Sequence, residues 1–138
     1  VITTHVCRGN FRSTYLLTGA YDPIADALFG QTQYDGYFLE YDDERSGGFE
    51  PLKHFANNPD KGRVVLGLIS SKFPELEDKA AIKARIKEAT QYVPLEQLCL
   101  SPQCGFASTE EGNIMTEAQQ WAKVRYVEEI AKEVWGED

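Results

Sequence analysis

The apolar positions of this chain fall into short runs separated by turn chemistry, and two longer stretches repeat at helical spacing. Residues 2–7 (ITTHVC) alternate and are rich in β-branched side chains, the pattern of a strand. A polar loop at 8–13 and an apolar stretch at 15–20 of neither period follow. Asp22-Pro23 then supplies an N-cap with proline at the first helical position, and Ile24, Ala27 and Leu28 give a short helix its apolar face up to Gly30. Residues 34–42 read as a second strand with a buried centre at Tyr37, Phe38 and Leu39, running out at Glu40 into a charged loop. Residues 49–55 form a short helix packed by Phe49, Leu52 and Phe55. The run RVVLGLISS at 63–71 is almost continuously apolar, as in a parallel strand covered on both faces. Ile82, Ile86, Ala89 and Val93 place a helix over about 78–92, stopped by Pro94. Residues 97–100 make a fourth strand. Thr116 and Gln119 form a capping box that opens a last helix, with Val124, Val127, Ala131 and Val134 as its expected buried stripe and Gly136 as its stop.

Strand, loop and helix thus recur four times without a hairpin signal. The expected class is α/β, a parallel sheet with right-handed crossovers in a single domain over 1–138. Four such units are half of a (β/α)8 barrel; an open sheet is the competing architecture. The chain starts at Val1, inside a strand that ends in chemically active residues, and is expected to be the C-terminal part of a longer one.

Composition narrows the function. A net charge of −8 and a pI of about 4.8 argue against binding a phosphate backbone. No apolar run approaches the ~20 residues of a membrane span, and no signal-peptide pattern opens the chain. Three cysteines, an odd number, in such a chain suggest a reducing, cytoplasmic compartment.

The candidate chemistry sits at strand ends. His5 and Cys7 are two apart on one strand, so both side chains point the same way. Glu40 ends the second strand. Cys104 lies in the turn SPQCGF after the fourth. In parallel α/β units all C-terminal strand ends share one face, where two thiolates, an imidazole and a carboxylate can make a tetrahedral zinc site. On the residues alone other readings stay open: the His-x-Cys pair can pack, Glu40 can serve an ion pair, and Cys7 and Cys104 can form a redox disulfide. Arg8 and Asn10 are candidates to contact an anionic substrate, and Asp42 or Arg45 to support the site from behind. His54, Cys99, Trp121 and Trp135 read as packing or surface residues.

HVCRGN at 5–10, GYFLEYD at 36–42 and SPQCGFAS at 101–108 resemble the C-terminal catalytic domain of the cobalamin-independent methionine synthase family, most closely its short single-barrel members. The resemblance runs in order along essentially the whole chain. It implies the C-terminal half of a (β/α)8 TIM barrel and a zinc ion held by His5, Cys7, Glu40 and Cys104. It further implies methyl or alkyl transfer to a thiol, with a homocysteine-like acceptor and a methylfolate-like donor. The N-terminal half of the barrel, or a second copy, is the implied partner; the isolated half is expected to keep zinc but lack catalysis. One segment departs from the family pattern. Where methionine synthases carry a histidine in a D-I-H-S-P setting, this chain has Gly67-Leu68-Ile69-Ser70-Ser71-Lys72. Ile69 cannot transfer a proton, which leaves Ser70 and Lys72 as candidates. The rival classes are a non-catalytic zinc-binding domain and a thiol–disulfide redox protein using Cys7 and Cys104.

Overall fold

Four parallel strands carry the architecture: β1 (Thr3–Val6), β4 (Gly36–Glu40), β5 (Arg63–Ile69) and β6 (Leu98–Pro102), in the spatial order β1-β4-β5-β6. The computed structural model describes residues 1–7, 10, 11, 14, 15, 19–43, 46–58, 62–107 and 110–136, with only the backbone at 10, 11, 14 and 15. Spatial order follows chain order without reversal. That is the winding of a (β/α) barrel; a doubly wound sheet would reverse at a switch point. The expected α/β class with parallel strands holds. The unexpected element is an antiparallel pair, β2 (Asn10–Phe11) with β3 (Thr14–Tyr15). Two-residue strands are too short to alternate visibly, and the two residues between them, Arg12-Ser13, lack the glycine or asparagine of a favoured hairpin turn.

The pleat gives the sheet two unlike faces. Tyr37 pairs with Val64 and Val64 with Leu98; one step along, Leu39 pairs with Leu66 and Leu66 with Leu100. These side chains point into the core, under the helical layer. The opposite face carries the row His5, Phe38, Val65 and Cys99. Phe38, expected to be buried, is 37% exposed there, although Val65 beside it is buried. Cys99 is likewise half-buried at the edge, its Sγ 3.9 Å from Arg63 Nη1, and not a core residue.

The helical layer departs from expectation in detail. The segment after Tyr21 is a 3-10 turn (Asp22–Ile24) running into a wide π-helical stretch (Asp26–Gln31), and its N-cap is Tyr21, not Asp22. Phe29 is buried and stacks on Phe55 of the 3-10 helix Glu50–Asn57 at 4.7 Å between ring centroids. Helix α1 (Lys79–Ala89) is capped by Asp78, which accepts from the backbone N–H groups of Ala80 and Ala81, and it buries Ile82, Ile86 and Ala89 as its spacing predicts. A 3-10 turn (Leu95–Gln97) leads into β6. Helix α2 (Glu117–Trp135) has the Thr116/Gln119 capping box and a left-handed Gly136. Its inward stripe keeps Val127 and Val134, which pack partly buried against the core as the spacing predicts, but it adds the fully buried Lys123 and Ile130 and leaves Val124 facing outward. Lys123 counts as polar in sequence and so escapes the pattern, yet its ammonium goes inward to Ser70 O and the Glu77 carboxylate. Among the described residues no helix is long and apolar enough to cross a membrane.

Candidate metal centre

Strand parity puts the site on the face opposite the core. Thr3, His5 and Cys7 alternate onto it from β1, as do Gly36, Phe38 and Glu40 from β4. Val6 pairs with Leu39, so Cys7 comes level with Glu40 one step on. Glu40 pairs with Gly67 and Gly67 with Ser101, which brings the turn after β6 to the same height.

The result is a cluster in which one ligand atom from each of His5, Cys7, Glu40 and Cys104 lies within 4.8 Å of the others. Cys7 Sγ is 3.6 Å from Cys104 Sγ, His5 Nε2 is 3.6 Å from Glu40 Oε1 and 3.9 Å from Cys104 Sγ, and the Cys104 thiol donates to Glu40 Oε1 at 2.8 Å. Two thiolates each ~2.3 Å from a tetrahedral zinc stand about 3.8 Å apart, and a sulfur and an oxygen about 3.5 Å apart. The donor set therefore fits a zinc ion in both chemistry and spacing, the two sulfurs being slightly closer than a central ion requires and the Cys104–Glu40 pair clearly so. Both cysteines are free thiols.

Burial is graded across the cluster. Glu40 is fully buried, whereas the His5 side chain is 41% exposed and Cys7 is open to solvent. The Cys104 thiol is pushed far above its ordinary value, first by burial and then by its hydrogen bond to Glu40 and the charges of Glu40 and Cys7. A carboxylate and two thiols converging in one place repel extra negative charge, and a divalent cation removes that penalty.

The surroundings hold Glu40 and Cys104 in place. The buried Tyr21 hydroxyl accepts from the Glu40 backbone N–H at 2.7 Å and lies 3.2 Å from the Glu40 carbonyl, to which it donates. Gly67 lets three strands close up: a Cβ there would lie 2.7 Å from the Leu39 carbonyl oxygen and 3.2 Å from the Gln103 Cα. Asp42, a candidate to support the site from behind, has a side chain with no exposure and pairs with the buried Lys72. Lys72 also donates to Gln103 Oε1. Ser70 is buried, and its hydroxyl accepts from the Lys72 backbone N–H at 3.2 Å. Arg8 and Arg45 lie outside the described residues, and Asn10 is described only as the first residue of β2. His54 pairs with Asp26 at 3.4 Å, and Trp135 donates to the Leu95 carbonyl, both away from the cluster. Sequence reasoning missed Tyr21 and Gln103. A tyrosine after an apolar stretch and a glutamine in a turn carry no signal of which backbone or ammonium they will meet.

Residues 2–132 match the family model described as "Cobalamin-independent synthase, Catalytic domain". Over 134 residues the chain is 59% identical to Uncharacterized protein YxjG and 58% identical to Uncharacterized protein YxjH, both of Bacillus subtilis (strain 168). Each alignment covers 97% of this chain and 35% of the relative, so the chain spans about a third of the length of the curated relatives it matches. A crystal structure from Listeria monocytogenes, described as a "Putative Vitamin-B12 Independent Methionine Synthase", superposes with a TM-score of 0.70 at 45% identity, over 99% of this chain and 36% of that one.

Proposed function

Because the chain belongs to the cobalamin-independent synthase catalytic-domain family, we propose that it is the zinc-holding portion of a methyl- or alkyltransferase that acts on a thiol. The observation that supports this reading is the convergence of His5, Cys7, Glu40 and Cys104 within 4.8 Å on the open face of the sheet. Zinc bound there supplies the charge that keeps an acceptor thiol ionised at neutral pH, where a free thiol of pKa ~8.5 is mostly protonated. The acceptor sulfur forms a bond to the methyl or alkyl carbon. The bond from that carbon to the donor breaks, and the donor keeps the electron pair and takes up a proton. A homocysteine-like thiol and a methylfolate-like donor are the substrates the family suggests.

The residues divide this work. With zinc bound and its ligands deprotonated, Cys7, Cys104 and Glu40 would set three negative charges against the two positive charges of the ion. Such a set favours an electron-rich sulfur and disfavours making hydroxide, so hydrolysis is the poorer fit. Glu40 is the one oxygen donor and the ligand expected to release its place to an incoming thiol. Exposed His5 and Cys7 mark the side from which substrate arrives. Ser70 and Lys72 are both engaged in holding loops. The proton for the departing donor is left to water or to a residue beyond these strands. The remaining barrel strands, and with them most substrate contacts, belong to the longer proteins of the family, so the 138-residue chain alone is expected to bind zinc without turning over. A cytoplasmic site of action fits thiol ligands that must stay reduced.

Metal analysis of the purified chain tests the reading. One zinc per chain is expected, falling to a small fraction in Cys104→Ser and His5→Ala. A metal-free wild type whose Cys7 and Cys104 are joined by a disulfide would instead favour the redox alternative, which draws on the same 3.6 Å separation of the sulfurs. A polypeptide of the relatives' full length that carries this segment is expected to S-methylate homocysteine. A zinc-replete protein of that length that methylates no thiol would leave only the non-catalytic zinc-binding alternative.

A further inference from the structure

Lys72 lies just past the end of β5, in a loop that contributes no metal ligand, yet its side chain is only 3% exposed. Its ammonium meets Asp42, two residues after Glu40, and donates to the side-chain oxygen of Gln103, one residue before Cys104, at 2.5 Å. Asp43 Oδ2 stands 3.7 Å away as a second carboxylate. An ammonium only donates, so it also dictates which end of the Gln103 amide faces it. The Gln103 backbone N–H is in turn bound to the Ile69 carbonyl at 2.8 Å. One buried cation thus joins the loops after β4, β5 and β6. The first of those loops continues from Glu40, the last residue of β4, and the third carries Cys104; the ligand atoms of that pair are 2.8 Å apart.

We propose that Lys72 is a positioning residue for the metal centre: through Asp42 and Gln103 it sets the separation of Glu40 from Cys104. This rests on the zinc reading above. A contact as short as 2.8 Å between a thiol and a carboxylate oxygen is closer than a shared ion requires, so Glu40 and Cys104 would have to move slightly apart to admit one. Lys72 limits how far, because moving either loop away from it strips a buried carboxylate or amide of its partner. His5 and Cys7 arrive on β1, whereas the partners of Lys72 among the described residues, Asp42, Asp43 and Gln103, follow β4 and β6, so its influence falls on one half of the site. Outer partners of metal ligands commonly change affinity 10- to 100-fold when removed.

The test uses cobalt(II) in place of zinc, with visible and near-ultraviolet absorption as the readout, and chelator competition for zinc affinity. In Lys72→Met the expected result is a zinc affinity 10- to 100-fold weaker and a changed visible cobalt band, with the thiolate-to-cobalt absorption retained because Cys7 and Cys104 are still present. Gln103→Leu removes one of the two contacts while leaving the Asp42–Lys72 pair intact, and it decides the matter if Lys72→Met does not fold. It is expected to shift the cobalt band in the same direction, with a smaller loss of affinity. Folded variants whose cobalt spectrum and zinc affinity both equal the wild type would overturn the positioning role while leaving the zinc reading standing. A wild type that takes up neither cobalt nor zinc would overturn both.

Discussion

At the scale of single residues, the site is a balance between charge and burial. Glu40 is fully buried and Cys104 half so, and burial first, then the hydrogen bond to Glu40, push the Cys104 thiol above its ordinary value. The sign of the pH effect follows. The folded-state value of Cys104 lies above its unfolded value of 9.0, so only the unfolded chain ionises there as pH rises past that point. The metal-free chain is therefore expected to keep its full stability below about pH 8 and to lose some of it above pH 9, as read by urea midpoints across that range. Cys104→Ala should flatten that alkaline loss, and a profile unchanged by the substitution would show that another group governs it. Metal uptake runs the other way. Zinc must displace the thiol protons, so its apparent affinity is expected to rise with pH.

Elements are held in place by their ends as much as by their faces. α2 begins with a reciprocal capping box, in which Gln119 N–H donates to Thr116 Oγ1 at 3.3 Å and Thr116 N–H donates to Gln119 Oε1 at 2.8 Å. It is tied to α1 by Lys79, which reaches Glu129 and Glu133, and by Lys83, which reaches Glu133. Those pairs are exposed and contribute little that salt does not screen. The cap is the stronger local feature. Thr116→Ala is expected to destabilise the chain by about 1 kcal/mol, visible as a lower thermal midpoint with unchanged metal stoichiometry. A loss of metal in that variant would mean that α2 bears on the centre directly. The buried Lys123 gives a reason to look for some coupling, since its ammonium holds Glu77, whose carboxylate accepts from the Ser70 backbone N–H at 2.7 Å in the loop that also carries Lys72.

Across the whole molecule the dominant fact is asymmetry. One face of the sheet packs into the core; the other leaves Phe38 and His5 exposed and Cys99 half-buried. Among the described residues β1 and β6 are its edges, and edges left unpaired recruit further strands. We expect the 138-residue chain to self-associate, or to pair with the strands that complete the barrel in the longer family members. Light scattering over a concentration series is the check. A monodisperse monomer throughout would contradict the expectation, and Phe38→Ser should weaken association if the open face takes part.

What was legible in the sequence was what depends on neighbours along the chain. Strand parity placed His5 and Cys7 on one side. The βα rhythm placed Glu40 and Cys104 at the same rim, and helical spacing and caps located α1 and α2. What the sequence could not carry was the set of contacts made between segments far apart in the chain. The burial of Asp42 and Lys72 required three loops to meet, and the Tyr21 hydroxyl on the Glu40 backbone required a 3-10 turn to pack beneath β4. The exposure of Phe38 depended on which sheet face would pack into the core. Local patterns set where a side chain points, whereas its partner and its access to water are decided only when the layers close.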